Sequence, residues 1–163
     1  MNPASLGSTA PILIAAASAA ILAAVFISQY GFGFEPCQLC LWQRLPYAIV
    51  LGLSPVAALV WPKQRFRPII LSIYGMVLLA GGMLAFYHVG IERHWWAGTE
   101  SCGSNDAMLQ TVEELRAALV GKPVARCDQP SFVFLGLSMA GWNLIAALGL
   151  AGFSFAAAAR HAK

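Results

Sequence analysis

The chain has 163 residues, of which 59% are hydrophobic and only 10% are charged, whereas about 25% are charged in ordinary soluble domains. So few polar side chains cannot cover a water-soluble domain of this size, which argues against a soluble enzyme, a disordered linker and a nucleic-acid-binding module. The formal net charge is only +3, so the distribution of the charges is more informative than their sum.

Four apolar stretches follow one another along the chain, at residues 11–30, 45–61, 69–91 and 132–159. Each is close to the length of about 20 helical residues that crosses a hydrocarbon core. Every backbone N–H and C=O group must be satisfied inside lipid, and the composition lacks the alternation of a β-barrel. The sequence therefore predicts an all-α membrane protein, a bundle of four transmembrane helices that forms one domain over residues 1–163.

The first stretch has a competing interpretation as a cleaved signal peptide. Secretory signals normally begin with positive charge, and residues 1–10 contain no lysine or arginine. Cleavage would also leave an odd number of spans. We therefore expect the first helix to be retained.

The first connection, residues 31–40, reads GFGFEPCQLC and contains a CxxC motif formed by Cys37 and Cys40. A bridge across so short a loop adds little stability but is typical of an exchangeable dithiol. The motif leads directly into the second span, and a thiol in a first helical turn has a lowered pKa. Arg44 follows Cys40 by four residues, so we expect both on one helix face. An isolated arginine at this position would be interpreted as a snorkelling membrane anchor. Beside a CxxC motif, the better interpretation is a cation that stabilises a thiolate.

The basic residues predict the orientation. Lys63, Arg65 and Arg67 lie between spans two and three, and Arg160 and Lys163 follow span four. That side carries no acidic residue, whereas all seven carboxylates lie on the opposite side. By the positive-inside rule, we expect both termini in the cytoplasm and both cysteine-containing loops on the outer side.

The second outer loop, residues 92–131, begins with the aromatic run His94–Trp95–Trp96, which is typical of a membrane interface. Within it, residues 106–120 carry apolar side chains spaced by three or four positions. This spacing predicts a short amphipathic helix that lies on the outer surface of the membrane, or one that packs on its own loop. The loop also contains Cys102 and Cys127.

Four cysteines outside the cytoplasm predict two bridges, for which three pairings exist. A c-type haem would need a histidine directly after the second cysteine of CxxC, where the chain has Leu41. A four-cysteine zinc site normally combines two closely spaced pairs, whereas Cys102 and Cys127 lie 25 positions apart. We expect no metal site, and a disulfide-stapled membrane scaffold without redox turnover is the alternative to a redox function.

The segments EPCQLCLWQR at 35–44 and FLGLSMAGWN at 134–143, with two cysteines in each outer loop, resemble the disulfide bond formation protein B (DsbB) family. The resemblance implies a thiol:quinone oxidoreductase of the bacterial inner membrane. Such an enzyme reoxidises a periplasmic thioredoxin-like oxidase of the DsbA type and passes the electrons to ubiquinone or menaquinone in the membrane. The sequence does not distinguish the two quinones.

The resemblance also implies a role for each cysteine. The partner's thiolate would attack Cys102 and free Cys127; Cys127 would then attack Cys37 and leave Cys40 as the thiolate that donates to the quinone. The unusually aromatic stretch at 87–101 and the run after Cys127 depart from the best-known members, and they leave the partner's identity open.

Two further residues match quinone-side positions of the family. Arg44 matches its quinone-side arginine. His88, at the outer end of span three, is similar in position to a histidine near the quinone, although a simple interfacial residue explains it equally well. Asn143, in span four, is expected to form an interhelical hydrogen bond, whereas Glu92 and Arg93 have no assigned role.

Overall fold

The computed structural model describes residues 3–98, 102, 126–130 and 132–162, with side chains from Thr9 onward. Within these residues the chain forms five α-helices, a 3₁₀ turn at Gln64–Phe66 and one small antiparallel hairpin. The helices are α1 Pro3–Phe32, α2 Gln38–Trp42, α3 Leu45–Val60, α4 Arg67–Glu92 and α5 Met139–His161, and the strands are β1 Val133–Phe134 and β2 Leu137–Ser138.

Four helical segments of the described chain are long and apolar enough to cross a membrane: Thr9–Phe32, Gln38–Val60, Gln64–Glu92 and Met139–His161. The predicted bundle of four spans is therefore confirmed. The amphipathic helix predicted at residues 106–120 lies outside the described residues.

The fourth helix begins at Met139, so the predicted start at residue 132 is wrong. Residues 133–138 instead form the β1–β2 hairpin, because Leu135 and Gly136 adopt positive φ angles of 51° and 79°. Two consecutive positive φ angles are typical of a tight two-residue hairpin turn. The Ser138 hydroxyl then accepts a hydrogen bond from the Gly141 N–H and caps the helix. Hydrophobicity alone does not distinguish this apolar hairpin from a helical turn.

The second span is divided between α2 and α3, at Gln43 and Arg44. Pro46 has no N–H to donate to the Trp42 carbonyl, so the helical ladder loses one bond there. The Arg44 N–H donates to the Leu41 carbonyl, three residues back, which also departs from the α-helical pattern. The first loop is also shorter than predicted, since α1 continues to Phe32 and Cys40 lies within α2. Their spacing predicted that Cys40 and Arg44 lie on one face of a single helix. In the structure the helix is interrupted between them.

The membrane core is built on close contacts between helices. α4 packs along α5 over most of its length, and α1 packs on α3. Small residues of α5, including Ala147 and Ala151, are buried at this core and let the helix backbones approach. A second buried cluster lies at the outer end of the bundle and contains Cys37, Leu39, Ile91, Cys102 and Cys127.

Gly81 in α4 provides a test of this packing. A Cβ atom there would lie 2.8 Å from Cγ of Pro46, and a proline ring cannot rotate away. Alanine favours a helix over glycine by about 1 kcal/mol, whereas overpacking costs about 1–3 kcal/mol. We expect Gly81→Ala to lower the midpoint of thermal unfolding in detergent.

Gly152→Ala is the matched control, because nothing lies within 4 Å of a Cβ at this glycine of α5. It should leave the midpoint unchanged or raise it. Equal midpoints for the two variants would contradict the close α3–α4 contact at Pro46.

Candidate functional site

The CxxC motif forms the start of α2. The Cys37 sulfur caps this helix by accepting a hydrogen bond from the Cys40 N–H at 3.3 Å. The two sulfurs are 3.0 Å apart as free thiols, with Cys37 buried and Cys40 partly buried. The pair is thus placed to open and close a disulfide without a large backbone movement.

The second pair, Cys102 and Cys127, forms a disulfide. Both residues are buried, and each is only 1% exposed. The Cys127 N–H also donates to Cys102 O at 3.2 Å. The Cys127 sulfur, the Cys37 sulfur and a ring nitrogen of His88 all lie within 4.8 Å of one another. The two cysteine pairs therefore meet through Cys37 and Cys127, at a distance from which one thiolate could reach the other sulfur after a small shift.

The same three atoms have a spacing that could suit a metal ion. However, Cys127 is bonded to Cys102, and it is the thiolate form of cysteine that ligates metals. The arrangement is thus better suited to thiol–disulfide exchange.

An ion pair flanks Cys127. The Arg126 guanidinium donates to both carboxylate oxygens of Asp128, at 3.0 and 2.7 Å. These hydrogen bonds lower the pKa of Asp128 below its usual value. The pair thus connects the two residues that flank Cys127.

Cys37 lies in a setting that favours its thiolate. A hydrogen bond from the Cys40 thiol, and a smaller contribution from His88 at 3.6 Å, lower the pKa of Cys37 although burial opposes this change. In the reduced pair, Cys37 is therefore the cysteine that is stabilised as a thiolate. The sequence instead predicted a stabilised thiolate at Cys40. That expectation applies to the state in which Cys37 is bonded to Cys127 and Cys40 is left free.

A buried row of polar side chains runs inward from Cys37. His88 Nδ1 is 2.7 Å from the amide nitrogen of Gln43, and Asn143 donates to the Gln43 amide oxygen at 2.6 Å. The Tyr47 hydroxyl donates to the Asn143 amide oxygen at 2.6 Å. The expected interhelical hydrogen bond of Asn143 is thereby confirmed, and it connects α5 with the second span.

Arg44 lies on another side of the site. Its guanidinium donates to the Gln29 amide oxygen at 2.7 Å and lies over the Phe26 ring, 5.1 Å from the centroid. Both partners belong to α1, so Arg44 connects α1 to the second span. Arg44 and Cys40 line the same cavity, as their spacing predicted, although the helix is divided between them.

Glu92, to which the sequence assigned no role, lies at the end of α4. Its carboxylate accepts a hydrogen bond from the Ser138 hydroxyl, and its other oxygen is 3.9 Å from His88 Nε2. Glu92 thus connects the end of α4 to the cap of α5 at the wall of the site.

These residues surround an apolar cavity of about 480 Å³, within the range of small-molecule sites. The polar groups of the wall include Cys37, Cys40, Arg44, His88 and Glu92. The rest is largely apolar, with aliphatic side chains of α1 and the aromatic residues Phe34, Phe132, Phe134 and Trp142. A flat, largely apolar ligand with a few acceptor oxygens would suit such a wall.

The structure brings five of the six sequence-predicted site residues to one place: Cys37, Cys40, Arg44 and His88 line the cavity, and Cys127 contacts Cys37. Cys102 is not among the described residues that line the cavity, and it is bonded to Cys127 in the same buried cluster as Cys37. Sequence reasoning missed Gln29, Gln43, Tyr47 and Glu92. The signal available for the two glutamines was an uncharged amide near the outer end of an otherwise apolar span.

The chain is a multi-pass helical membrane protein whose two cysteine pairs meet beside an apolar cavity, an arrangement that suits a disulfide-forming oxidoreductase. Residues 7–157 match the family model described as disulfide bond formation protein DsbB. The chain belongs to the DsbB family.

Individual relatives support this membership. The chain is 30% identical to disulfide bond formation protein B of Xanthomonas campestris, over 99% of this chain and 96% of the relative. It is 31% identical to the protein of the same name from a Polaromonas species, over 85% and 83%. It is also 26% identical to an uncharacterized protein of Rickettsia prowazekii, over 76% and 72%. No solved structure matches the chain.

Proposed function

We propose that this protein reoxidises a periplasmic thioredoxin-like oxidase of the DsbA type and passes the electrons to a membrane quinone. Membership of the DsbB family supports a role in disulfide formation, and the family is generally quinone-linked. The observation that carries the finer proposal is the contact between the two cysteine pairs at the wall of an apolar cavity.

The outer pair would exchange with the partner protein. The partner's thiolate attacks Cys102, forms a mixed disulfide and releases Cys127 as a thiolate. A second thiolate of the partner then releases Cys102. Each attack exchanges one S–S bond for another, so the outer pair takes up two electrons as two thiols.

The inner pair would receive these electrons from the outer pair. The Cys127 thiolate attacks the Cys37 sulfur of a Cys37–Cys40 disulfide, and Cys40 leaves as a thiolate. Cys102 then attacks Cys127, which restores the outer disulfide and releases Cys37. This exchange would yield a Cys102–Cys127 bond and two inner thiols, the same pairing as in the structure.

The cavity would hold the quinone, which when bound supplies the two-electron oxidant that restores the inner disulfide. Arg44 can donate to a carbonyl oxygen, and Cys40 lies on the same wall. The aromatic residues Phe134 and Trp142 can contact the faces of a flat ring and exclude water.

The orientation is part of the same proposal. The basic connection at residues 62–68 and the basic end of α5 favour a cytoplasmic location for that side of the bundle. Both cysteine pairs then lie on the periplasmic side of the bacterial inner membrane, where disulfides persist.

The direct test is turnover by the purified protein in detergent or lipid nanodiscs. We expect it to reduce added ubiquinone or menaquinone only when a reduced thioredoxin-like oxidase is present, with one quinone lost for each dithiol oxidised. The measurements are quinone absorbance and partner thiol content. A protein that holds both disulfides but consumes neither quinone would be a stapled scaffold, contrary to the proposal.

A further inference from the structure

We infer that Asn143 and Gln43 hold His88 in the tautomer that carries its proton on Nε2, so that the imidazole donates a hydrogen bond to the Cys37 sulfur. Tyr47 sets the direction of this chain of hydrogen bonds. The inference rests on the proposed function and deepens it. It assigns a catalytic role to His88 and positioning roles to Gln43, Tyr47 and Asn143.

The direction of the chain begins at Tyr47, whose side chain is almost completely buried. Within the described part of the protein, its hydroxyl has a single hydrogen-bond partner, the Asn143 amide oxygen at 2.6 Å. The hydroxyl must donate in this contact, because otherwise its buried proton would have no acceptor, which is unfavourable. The Asn143 amide is thereby oriented with its oxygen toward Tyr47.

Each following link is then determined by the one before it. The Asn143 amide nitrogen faces the Gln43 oxygen and donates to it at 2.6 Å. The Gln43 amide nitrogen in turn faces His88 Nδ1 at 2.7 Å. An N–H donor at that distance requires a lone pair on Nδ1, so the neutral ring carries its proton on Nε2.

The proton on Nε2 points to the reacting cysteine. Nε2 is 3.6 Å from the Cys37 sulfur and 3.9 Å from the nearer Glu92 oxygen. Sulfur is a large acceptor, and the shorter distance makes Cys37 the principal partner. A donated hydrogen bond favours the charged form of the sulfur, in agreement with the lowered pKa of Cys37, of which the Cys40 contact is the larger cause.

The hydrogen bond acts in one step of the electron transfer. When Cys102 attacks Cys127 in a Cys37–Cys127 bridge, the Cys102–Cys127 bond forms and the Cys37–Cys127 bond breaks. Cys37 departs with the electron pair as a thiolate, and no other oxidant or reductant is consumed. Since a better-stabilised thiolate is the faster leaving group, the donor on His88 favours the flow of electrons from the outer to the inner pair.

The first test is the tautomer itself. The chain has only three histidines, so nitrogen-15 labelling of histidine gives a small spectrum in which His88→Asn assigns the His88 signals. We expect neutral His88 with a protonated Nε2 and an unprotonated Nδ1. Asn143→Leu should allow the Gln43 amide to turn and should shift His88 toward the other tautomer. A wild-type signal with the proton on Nδ1 would overturn the inference.

Two tyrosines form a matched pair for the same measurement. Tyr47→Phe removes the first link and should weaken the tautomer preference. Tyr74→Phe removes another buried interhelical hydroxyl contact, to Ser54 at 3.3 Å, and should leave the His88 signals unchanged. If the two variants have equal effects, the signals report general loosening of the bundle and the directional chain is wrong.

The second test measures Cys37 in a protein where it is the only cysteine, with Cys40, Cys102 and Cys127 replaced by serine. We expect Asn143→Leu to slow alkylation of Cys37 at neutral pH roughly tenfold, as for a weakened hydrogen bond to a charged group, and to move the alkylation midpoint to higher pH. The other charged groups on the cavity wall stay the same in both proteins: Glu35, Arg44, Glu92 and Arg126.

Tyr74→Phe should alkylate at the unmodified rate. Neither test involves quinone or a partner protein. Failure of quinone turnover with the expected tautomer would therefore reject the proposed function alone. An unchanged alkylation profile in Asn143→Leu would reject the role of the chain at Cys37.

Discussion

Replacing Cys102 by serine is expected to trap a bridge between Cys37 and Cys127 in most of the molecules. The variant leaves Cys127 as a free thiol whose sulfur lies within 4.8 Å of the Cys37 sulfur. Once the inner pair is oxidised, the Cys127 thiolate attacks Cys37 and Cys40 leaves. Without Cys102 the chain cannot resolve the product in the forward direction, because an attack by Cys40 on Cys37 only restores the starting inner disulfide. Oxidation of the partner protein should therefore fall to background. Peptide mapping under non-reducing conditions measures the bridge.

Cys127→Ser is the matched control for this experiment. It leaves one free outer thiol as well, but that thiol is Cys102, whereas Cys127 is the outer cysteine whose sulfur lies within 4.8 Å of the Cys37 sulfur. We expect no inter-loop bridge in this variant. Equal bridging from Cys102, or no bridge in Cys102→Ser, would contradict the order of exchange in which Cys127 reacts with Cys37.

The second large effect is expected at Arg44. Removing one hydrogen-bond donor from a preorganised site that stabilises developing negative charge costs about 10²–10³ in rate, so Arg44→Met should lower quinone-dependent turnover by about that factor. Lysine retains the charge but loses the planar fork of the guanidinium. The turnover of Arg44→Lys should therefore lie between that of the wild type and that of Arg44→Met. Exchange between the partner and the outer cysteine pair should be nearly unaffected, because the contacts of Arg44 are with Gln29 and Phe26 of α1. Stopped-flow measurement of each half-reaction separates the two.

Arg67→Met controls for the loss of packing. Arg67 forms the same two kinds of contact as Arg44. It donates a hydrogen bond to Trp61 O at 3.0 Å and lies over the Trp61 ring, 5.3 Å from the centroid. Trp61 is at the opposite end of the second span. Its loss should leave turnover at about the wild-type rate. Quinone should also raise the midpoint of thermal unfolding of the wild type more than that of Arg44→Met. Normal turnover of Arg44→Met at limiting quinone would make Arg44 a membrane anchor only.

The amino-acid sequence by itself determined the number and approximate position of the spans. This was possible because crossing a bilayer is a local requirement, met by about 20 consecutive apolar residues. The same reasoning failed at residues 132–138, where an apolar hairpin precedes α5. A hydropathy average contains no information on the positive φ angles of Leu135 and Gly136 that turn the chain.

The cysteine chemistry was likewise predictable in kind from the sequence, since a CxxC motif and two more cysteines in outer loops already indicate an exchange system. Only the tertiary structure decided which sulfurs meet. Cys37 and Cys127 approach because α4 and the first loop pack against the segment around Cys127, forming the buried outer cluster. Spacing along the chain carries no information about contacts of this kind.

The polar row behind Cys37 shows the same division most clearly. Gln43 and His88 are 45 positions apart, and Gln43 and Asn143 are 100 apart. His88 and Asn143 were recognisable as polar groups in apolar spans, and Asn143 was expected to bond to another helix, whereas Gln43 lies just before the predicted second span. The identity of each partner depends on how far each helix is rotated about its own axis, which follows from the packing of the whole bundle. The tautomer of His88 therefore follows from the tertiary structure, because only there do the donors and acceptors of three helices meet.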